Sequence, residues 1–165
     1  MWFHPRAVSS PSSSSSSSTT TVVSGRHLDL DVAAASVVRR HVRSIDEIAR
    51  AIRSGWAADT AWIDDWDERN APRGQCGSSA LVLQDLRGGS LLRGRVAVDG
   101  DEIVHYWNVL DLGQVDLTWH QFPTHARFVH SEVVERAEML PTRWFADRAA
   151  LLRIRTDDAL ARFPA

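Results

Sequence analysis

From Ser78 to Leu86 the chain carries Ala80, Leu81, Val82, Leu83 and Leu86, an apolar run too broad for the single stripe of a surface helix. A helix apolar on most of its sides has to be wrapped by the rest of the chain. Gly88-Gly89 ends it, glycine being the residue that most readily takes up the left-handed backbone that closes a helix. Two strands follow, Leu91 to Val98 and Ile103 to Asn108, joined at Asp99-Gly100, a pair suited to a tight hairpin turn. Gln114 to Thr118 reads as a third, short strand. A buried helix that runs directly into an antiparallel meander belongs to an α+β fold.

Helices are expected at both ends of this unit. Ser44-Ile45-Asp46-Glu47 matches a capping box, Ile45, Ile48, Ala49 and Ile52 then recur at helical spacing, and Ser54-Gly55 stops the run. Trp56 to Arg73 contains Trp62, Asp64, Asp65, Trp66, Asn70 and Pro72 and reads as an irregular or briefly helical connection. Ser131 to Met139 and Thr142 to Arg155 read as two further helices, the second with Thr142 as N-cap. Ser9 to Ser24 is almost wholly Ser and Thr, which cannot bury enough apolar surface to offset the entropy of ordering it. Residues 1–26 are therefore expected to be a flexible tail, or a stretch upstream of the true translation start, and residues 27–165 one domain. About 140 residues suffice for one core and not for two.

Charge and composition remove several function classes. With 21 acidic and 19 basic residues the formal net charge is -2, and no basic run exceeds Arg39-Arg40 with Arg43 nearby, so nucleic acid is not expected as a partner. Every basic residue other than histidine is arginine, which leaves no catalytic lysine. One cysteine permits no intrachain disulfide and no multi-cysteine zinc site. No stretch approaches the roughly 18 apolar residues of a membrane span, and the opening Met1-Trp2-Phe3-His4-Pro5-Arg6 leads into Ser and Thr rather than a signal-peptide apolar region. The cytoplasm is the expected location, with no membrane partner and no cofactor. Oligomeric state is not readable.

The chemistry-bearing residues gather between Gly74 and Phe122. A cysteine nucleophile needs a setting that favours negative charge on sulfur, a base within hydrogen-bond reach and a group that orients that base. Cys76 opens the buried helix, where free amides and the helix dipole attract negative charge. Gly74 and Gly77 flank it and would leave room for a substrate, and the Cys76 amide together with Gln75 would bind a developing oxyanion. Alternation along Ile103 to Asn108 puts His105 on the face shared with Ile103 and Trp107. Asp116 interrupts an otherwise apolar strand and so calls for a partner. For Asp116 to lie opposite His105, Asn108 has to face Gly113 with a loop at Val109 to Leu112. A turn at Leu112-Gly113 would place Asp116 across from Val109, about 13 Å away along the strand. In that second register His120 is the alternative base.

Gly74-Gln75-Cys76, Ser79-Ala80-Leu81, Gly88-Gly89, His105-Tyr106-Trp107-Asn108, Asp116-Leu117-Thr118 and Gln121-Phe122 together closely resemble the YunG family of small bacterial proteins. Trp56, Thr60, Trp66 and Pro72 fit the same pattern. That likeness implies a family rather than a reaction. More distantly, Gly-x-Cys at a helix start, His-x-Trp on a strand and Asp-x-Thr on the next resemble transglutaminase-like and papain-like thiol enzymes. The resemblance implies a papain-like or transglutaminase-like core, a Cys-bearing helix on a small antiparallel sheet, with Cys76 as nucleophile, His105 as base and Asp116 as its orienter. Gln75, Gly74, Trp107 and Trp66 would then contact the substrate, a peptide or small amide or ester.

Two other functions compete with acyl transfer. One is a non-catalytic module that binds a peptide or small molecule in a cleft lined by Trp56, Trp62, Trp66, Trp107 and Trp119. The other is a metal site, from Cys76, His105 and Asp116 or from His120, His125 and His130, although a spacing of five scatters those three histidines around a helix; no metal is expected.

Overall fold

A computed structural model of the chain describes residues 43–139 and 143–162. The Ser/Thr-rich segment and Thr142 lie outside the described residues. The elements run α1 (Ile45–Ser54), a 3-10 turn at Glu68–Asn70, α2 (Cys76–Arg87), β1 (Ser90–Val98), β2 (Asp101–Leu110), β3 (Gly113–Val115), a 3-10 turn at Trp119–Gln121, β4 (Arg127–Val134), α3 (Arg136–Met139) and α4 (Arg143–Arg162). The strands form a four-stranded sheet in the order β3-β2-β1-β4, with every pair antiparallel. The architecture is α+β, with helices packed around a small open antiparallel sheet.

Helix α1 begins as its capping box dictates. The Glu47 amide donates to Ser44 Oγ at 3.2 Å, and the Ser44 amide donates to Glu47 Oε2 at 2.7 Å. Ile48 and Ile52 on its inner face join Val82, Leu83, Leu117 and Leu152 in one apolar cluster. A second cluster sets Ala80 and Leu81 of α2 against Leu91, Val134, Met139 and Ala149. Helix α2 lies between the two, against β2, α4, α1 and β1, as its breadth of apolar surface requires. Buried Asn108 of β2 donates to the Ala80 carbonyl at 3.0 Å, so the helix is held to the strand by a directional bond as well as by packing. The opposite face of β2, carrying Trp107 and His105, is covered by aromatic rings. Phe128 lies 4.6 Å from Trp107, and Phe122 5.0 Å from His105, centroid to centroid.

The Asp99-Gly100 hairpin forms as expected, both residues taking positive φ, 53° and 94°. The connection after β2 does not. It turns at Asp111-Leu112, with Leu110 facing Gly113 and Asn108 facing Val115, which is neither register expected from the sequence. Continued past β3, this pairing would set Asp116 beside Trp107, one diagonal step from His105. Diagonal cross-strand neighbours on one face lie roughly 7 Å apart, within reach of a side chain. A loop at Val109 to Leu112 is thus not required to join Asp116 to His105.

A second correction concerns Ser131 to Met139. Its first half is not helical: β4 runs to Val134 and pairs with β1, Leu91 facing Val134 and Arg93 facing Glu132, and only Arg136–Met139 forms a helical turn. The β-branched pair Val133-Val134 favours the strand, and cross-strand Arg93 bonds Glu132 with its guanidinium, Nε at 3.1 Å from Oε1. No helix among the described residues is long and apolar enough to cross a membrane.

Candidate functional site

Cys76 is the first residue of α2. The helix's first main-chain bond runs from the Ser79 amide to the Gln75 carbonyl at 2.9 Å, so the amide of Cys76 lies among those that a helix leaves without an internal acceptor. Its side chain is 4% exposed and forms part of the wall of a cavity of about 330 Å³. His105, from the middle of β2, is completely buried. Its Nε2 lies 2.7 Å from Asp116 Oδ2, while Asp116 Oδ1 accepts from the Thr118 amide at 2.9 Å and the Thr118 hydroxyl at 3.2 Å. The carboxylate is therefore fixed on both oxygens, one toward the imidazole and one toward the chain that follows it.

Burial disfavours charge on His105, but hydrogen bonds to Asp116 and Cys76 and the charges of both groups outweigh it and raise the pKa from 6.5 to about 9. At neutral pH the ring is an imidazolium. Nε2–H then donates to Asp116, and Nδ1 is the nitrogen that Asp116 leaves free. Gln121 Nε2 approaches Nδ1 at 3.5 Å, too long for a strong bond, and that amide donates instead to the Thr118 carbonyl at 3.0 Å. Trp107 stacks beside the ring at a centroid distance of 5.8 Å, and Trp119 and Phe122 meet it edge-on. The site is thus a hydrogen-bonded His–Asp pair set among aromatic rings.

His105 and Asp116 are bonded to each other and Cys76 is near enough to shift the ring, whereas several other expected site residues make scaffold contacts. The Gln75 backbone amide donates to the Pro72 carbonyl at 3.1 Å and its Nε2 to the Ala57 carbonyl at 2.9 Å. The side chain is wholly buried, and its Oε1 has no hydrogen-bond partner. Gly74 lines the cavity, and packing also requires a glycine there: at φ +76° a Cβ would sit 2.6 Å from Ile63 Cγ1. Phe145 fills the space beside Gly77 in the same way. Trp107 is 3% exposed and donates Nε1–H to Gln114 Oε1 at 2.9 Å. Trp66, half-buried, donates to the Ala71 carbonyl at 2.9 Å. Of the five tryptophans considered for a cleft, Trp62 is the one in this cavity wall. Neither hairpin turns nor periodicity mark Ile63, Asn70, Val98 and Val104 as its neighbours there, because they come from three separated segments.

The remaining histidines among the described residues are dispersed. His120 lies against Trp56 at a centroid distance of 6.0 Å; burial and the charge of Arg53 lower its pKa against the pull of Asp116. His125 pairs with Asp99 at 2.9 Å, and His130 faces Arg95 across β4 and β1. Among the described residues no cluster of His, Cys, Asp or Glu has the grouping to hold a metal ion.

Compared with known families, residues 44–161 match the family model described as YunG protein. The chain belongs to the YunG family. The match takes in α1 through nearly all of α4 and so includes the whole of the site. This YunG-family chain is 29% identical over 86 residues to the uncharacterized protein YunG of Bacillus subtilis (strain 168), an alignment covering 52% of this chain and 70% of that protein. No solved structure matches the chain.

Proposed function

We propose that this protein is a cysteine-dependent acyl-transfer enzyme, an amide or peptide hydrolase or a transferase, in which Cys76 is the nucleophile, His105 the acid and base, and Asp116 its orienter. The observation that carries the reading is the buried His105, bonded through Nε2 to Asp116 at 2.7 Å, with Cys76 near enough to join Asp116 in raising its pKa. A buried polar side chain is ordinarily bonded for structure alone. Here the partner beyond the Asp–His pair is the chain's only cysteine, at a helix start and on a cavity wall. The order Gly-x-Cys, His-x-Trp, Asp-x-Thr, similar to that of transglutaminase-like and papain-like thiol enzymes, supplies the reaction class.

In this mechanism the proton of the Cys76 thiol resides on His105 when sulfur bonds to the substrate carbonyl carbon. The carbonyl oxygen takes up negative charge toward the free amides at the start of α2, that of Cys76 first. Collapse breaks the carbonyl bond to nitrogen or oxygen, and His105 returns the proton to that leaving group. Water, or an amine in a transferase, attacks the thioester; His105 accepts its proton and passes it to the departing sulfur. Asp116 keeps Nε2 occupied throughout, so that Nδ1 is the exchanging position.

The test is labelling by an electrophilic activity-based probe of wild type, Cys76→Ala, His105→Ala and Asp116→Asn. Wild type should label at Cys76 and the Cys76 variant not at all. Loss of His105 should slow labelling by about 10²-fold or more. Equal labelling of wild type and His105→Ala would discard the catalytic reading and favour a non-catalytic binding module.

A further inference from the structure

The cavity beside Cys76 has walls of a distinct character. Trp62, Ile63, Val98, Ile103 and Phe122 supply apolar wall, drawn from the connection before α2, from both strands of the β1-β2 hairpin and from the segment after Trp119–Gln121, and Asn70 and Gln121 add polar groups. Trp62 and Ile103 are 45% and 39% exposed, so this apolar wall is open to an incoming group. The cation on the wall is Arg73, and it is already engaged by Asp65, with Nη1 3.0 Å from Oδ2 and 3.2 Å from the carbonyl oxygen. No carboxylate is part of this wall. Asp65 thus offsets the charge of Arg73, and among the described residues no other charged side chain is part of the wall.

We propose that this cavity is the subsite for a single neutral, apolar group of the substrate, such as an aliphatic or aromatic side chain next to the carbonyl attacked by Cys76. The assignment rests on the acyl-transfer reading above and names its substrate class. The volume, about 330 Å³, lies at the low end of the roughly 300–1,000 Å³ of small-molecule pockets and has room for such a side chain. Ile103 is the specificity-determining residue most open to test, since it lies on the exposed part of β2 and in the cavity wall but outside the Cys76, His105 and Asp116 group.

The experiment measures alkylation of Cys76 in the full chain by intact mass, using four electrophiles with one warhead: 2-chloroacetamide, its N-benzyl derivative, the anionic chloroacetylglycine and the cationic N-(2-aminoethyl) derivative. Each rate is divided by that with the same protein unfolded in guanidinium. The N-benzyl probe should react at least tenfold faster than either charged probe, the discrimination that a few methylenes yield in an apolar pocket. Ile103→Glu should abolish that preference, bringing the N-benzyl rate down to or below that of the parent chloroacetamide; an undiminished preference in the variant would overturn the subsite assignment. Equal or faster reaction of a charged probe would overturn the subsite assignment alone. If the parent probe reacts no faster with folded than with unfolded protein, the acyl-transfer reading fails instead. Absence of native-state alkylation by all four would overturn both.

Discussion

His105 shows how one buried side chain links charge, stability and reactivity. In the folded chain it holds its proton up to about pH 9, whereas its ordinary value is 6.5. The native state therefore binds this proton more tightly than the unfolded chain does. The resulting stabilisation is complete below about pH 6.5 and is lost as pH rises through about 9. Wild-type protein should accordingly unfold at lower urea concentration at pH 10 than at pH 6. Asp116→Asn keeps the shape of the carboxylate but removes its charge, so the fall between those two pH values should flatten. The His105 ring resonance should then titrate below its wild-type midpoint by NMR. An unchanged midpoint in the variant would show that Asp116 does not hold that proton in place.

At the level of elements, the site depends on α2 and β2 keeping a fixed offset, since one carries Cys76 and the other His105. Packing between a helix and a sheet tolerates sliding; a buried hydrogen bond does not. The bond from Asn108 to the Ala80 carbonyl supplies that constraint. Asn108→Leu, close in volume, should lower stability by about 1–2 kcal/mol in urea unfolding and should slow Cys76 labelling by more than that loss explains. Normal labelling in a destabilised variant would mean that apolar packing alone sets the offset. On the other side of His105, Gly94 of β1 lets the Trp107 ring lie flat on the sheet: a Cβ there would come within 2.6 Å of the ring edge.

Across the whole molecule, α4 ties the ends of the described chain together. Leu152 is fully buried against Ile52 of α1 and Leu83 of α2. Arg155 grips Asp59 with both terminal nitrogens, at 2.7 and 2.8 Å, which joins α4 to the connection that leads into the site. The core is therefore one cooperative unit with contributions from both ends of the described residues. Leu152→Ala should cost about 2–5 kcal/mol and shift the unfolding midpoint as a single transition. Two separate transitions would contradict a shared core.

Local pattern alone determined the parts of this protein whose causes are local. The capping box starts α1 at Ile45, Gly88-Gly89 stops α2, and Asp99-Gly100 turns the β1-β2 hairpin, since each depends on backbone preferences within a few residues. The sequence likewise brought Cys76, His105 and Asp116 forward as candidates, because a lone cysteine at a helix start and polar residues within apolar strands stand out against their neighbours. Only the tertiary structure decided the rest. Strand β4 pairs with β1 across more than thirty residues of chain and is exposed along nearly its whole length, so it has no alternating apolar signal to read. The turn at Asp111-Leu112 was fixed by a register that local residues leave open, and it carries Asp116 to His105 on a diagonal. The walls of the cavity come from segments that meet only once the core has closed around α2.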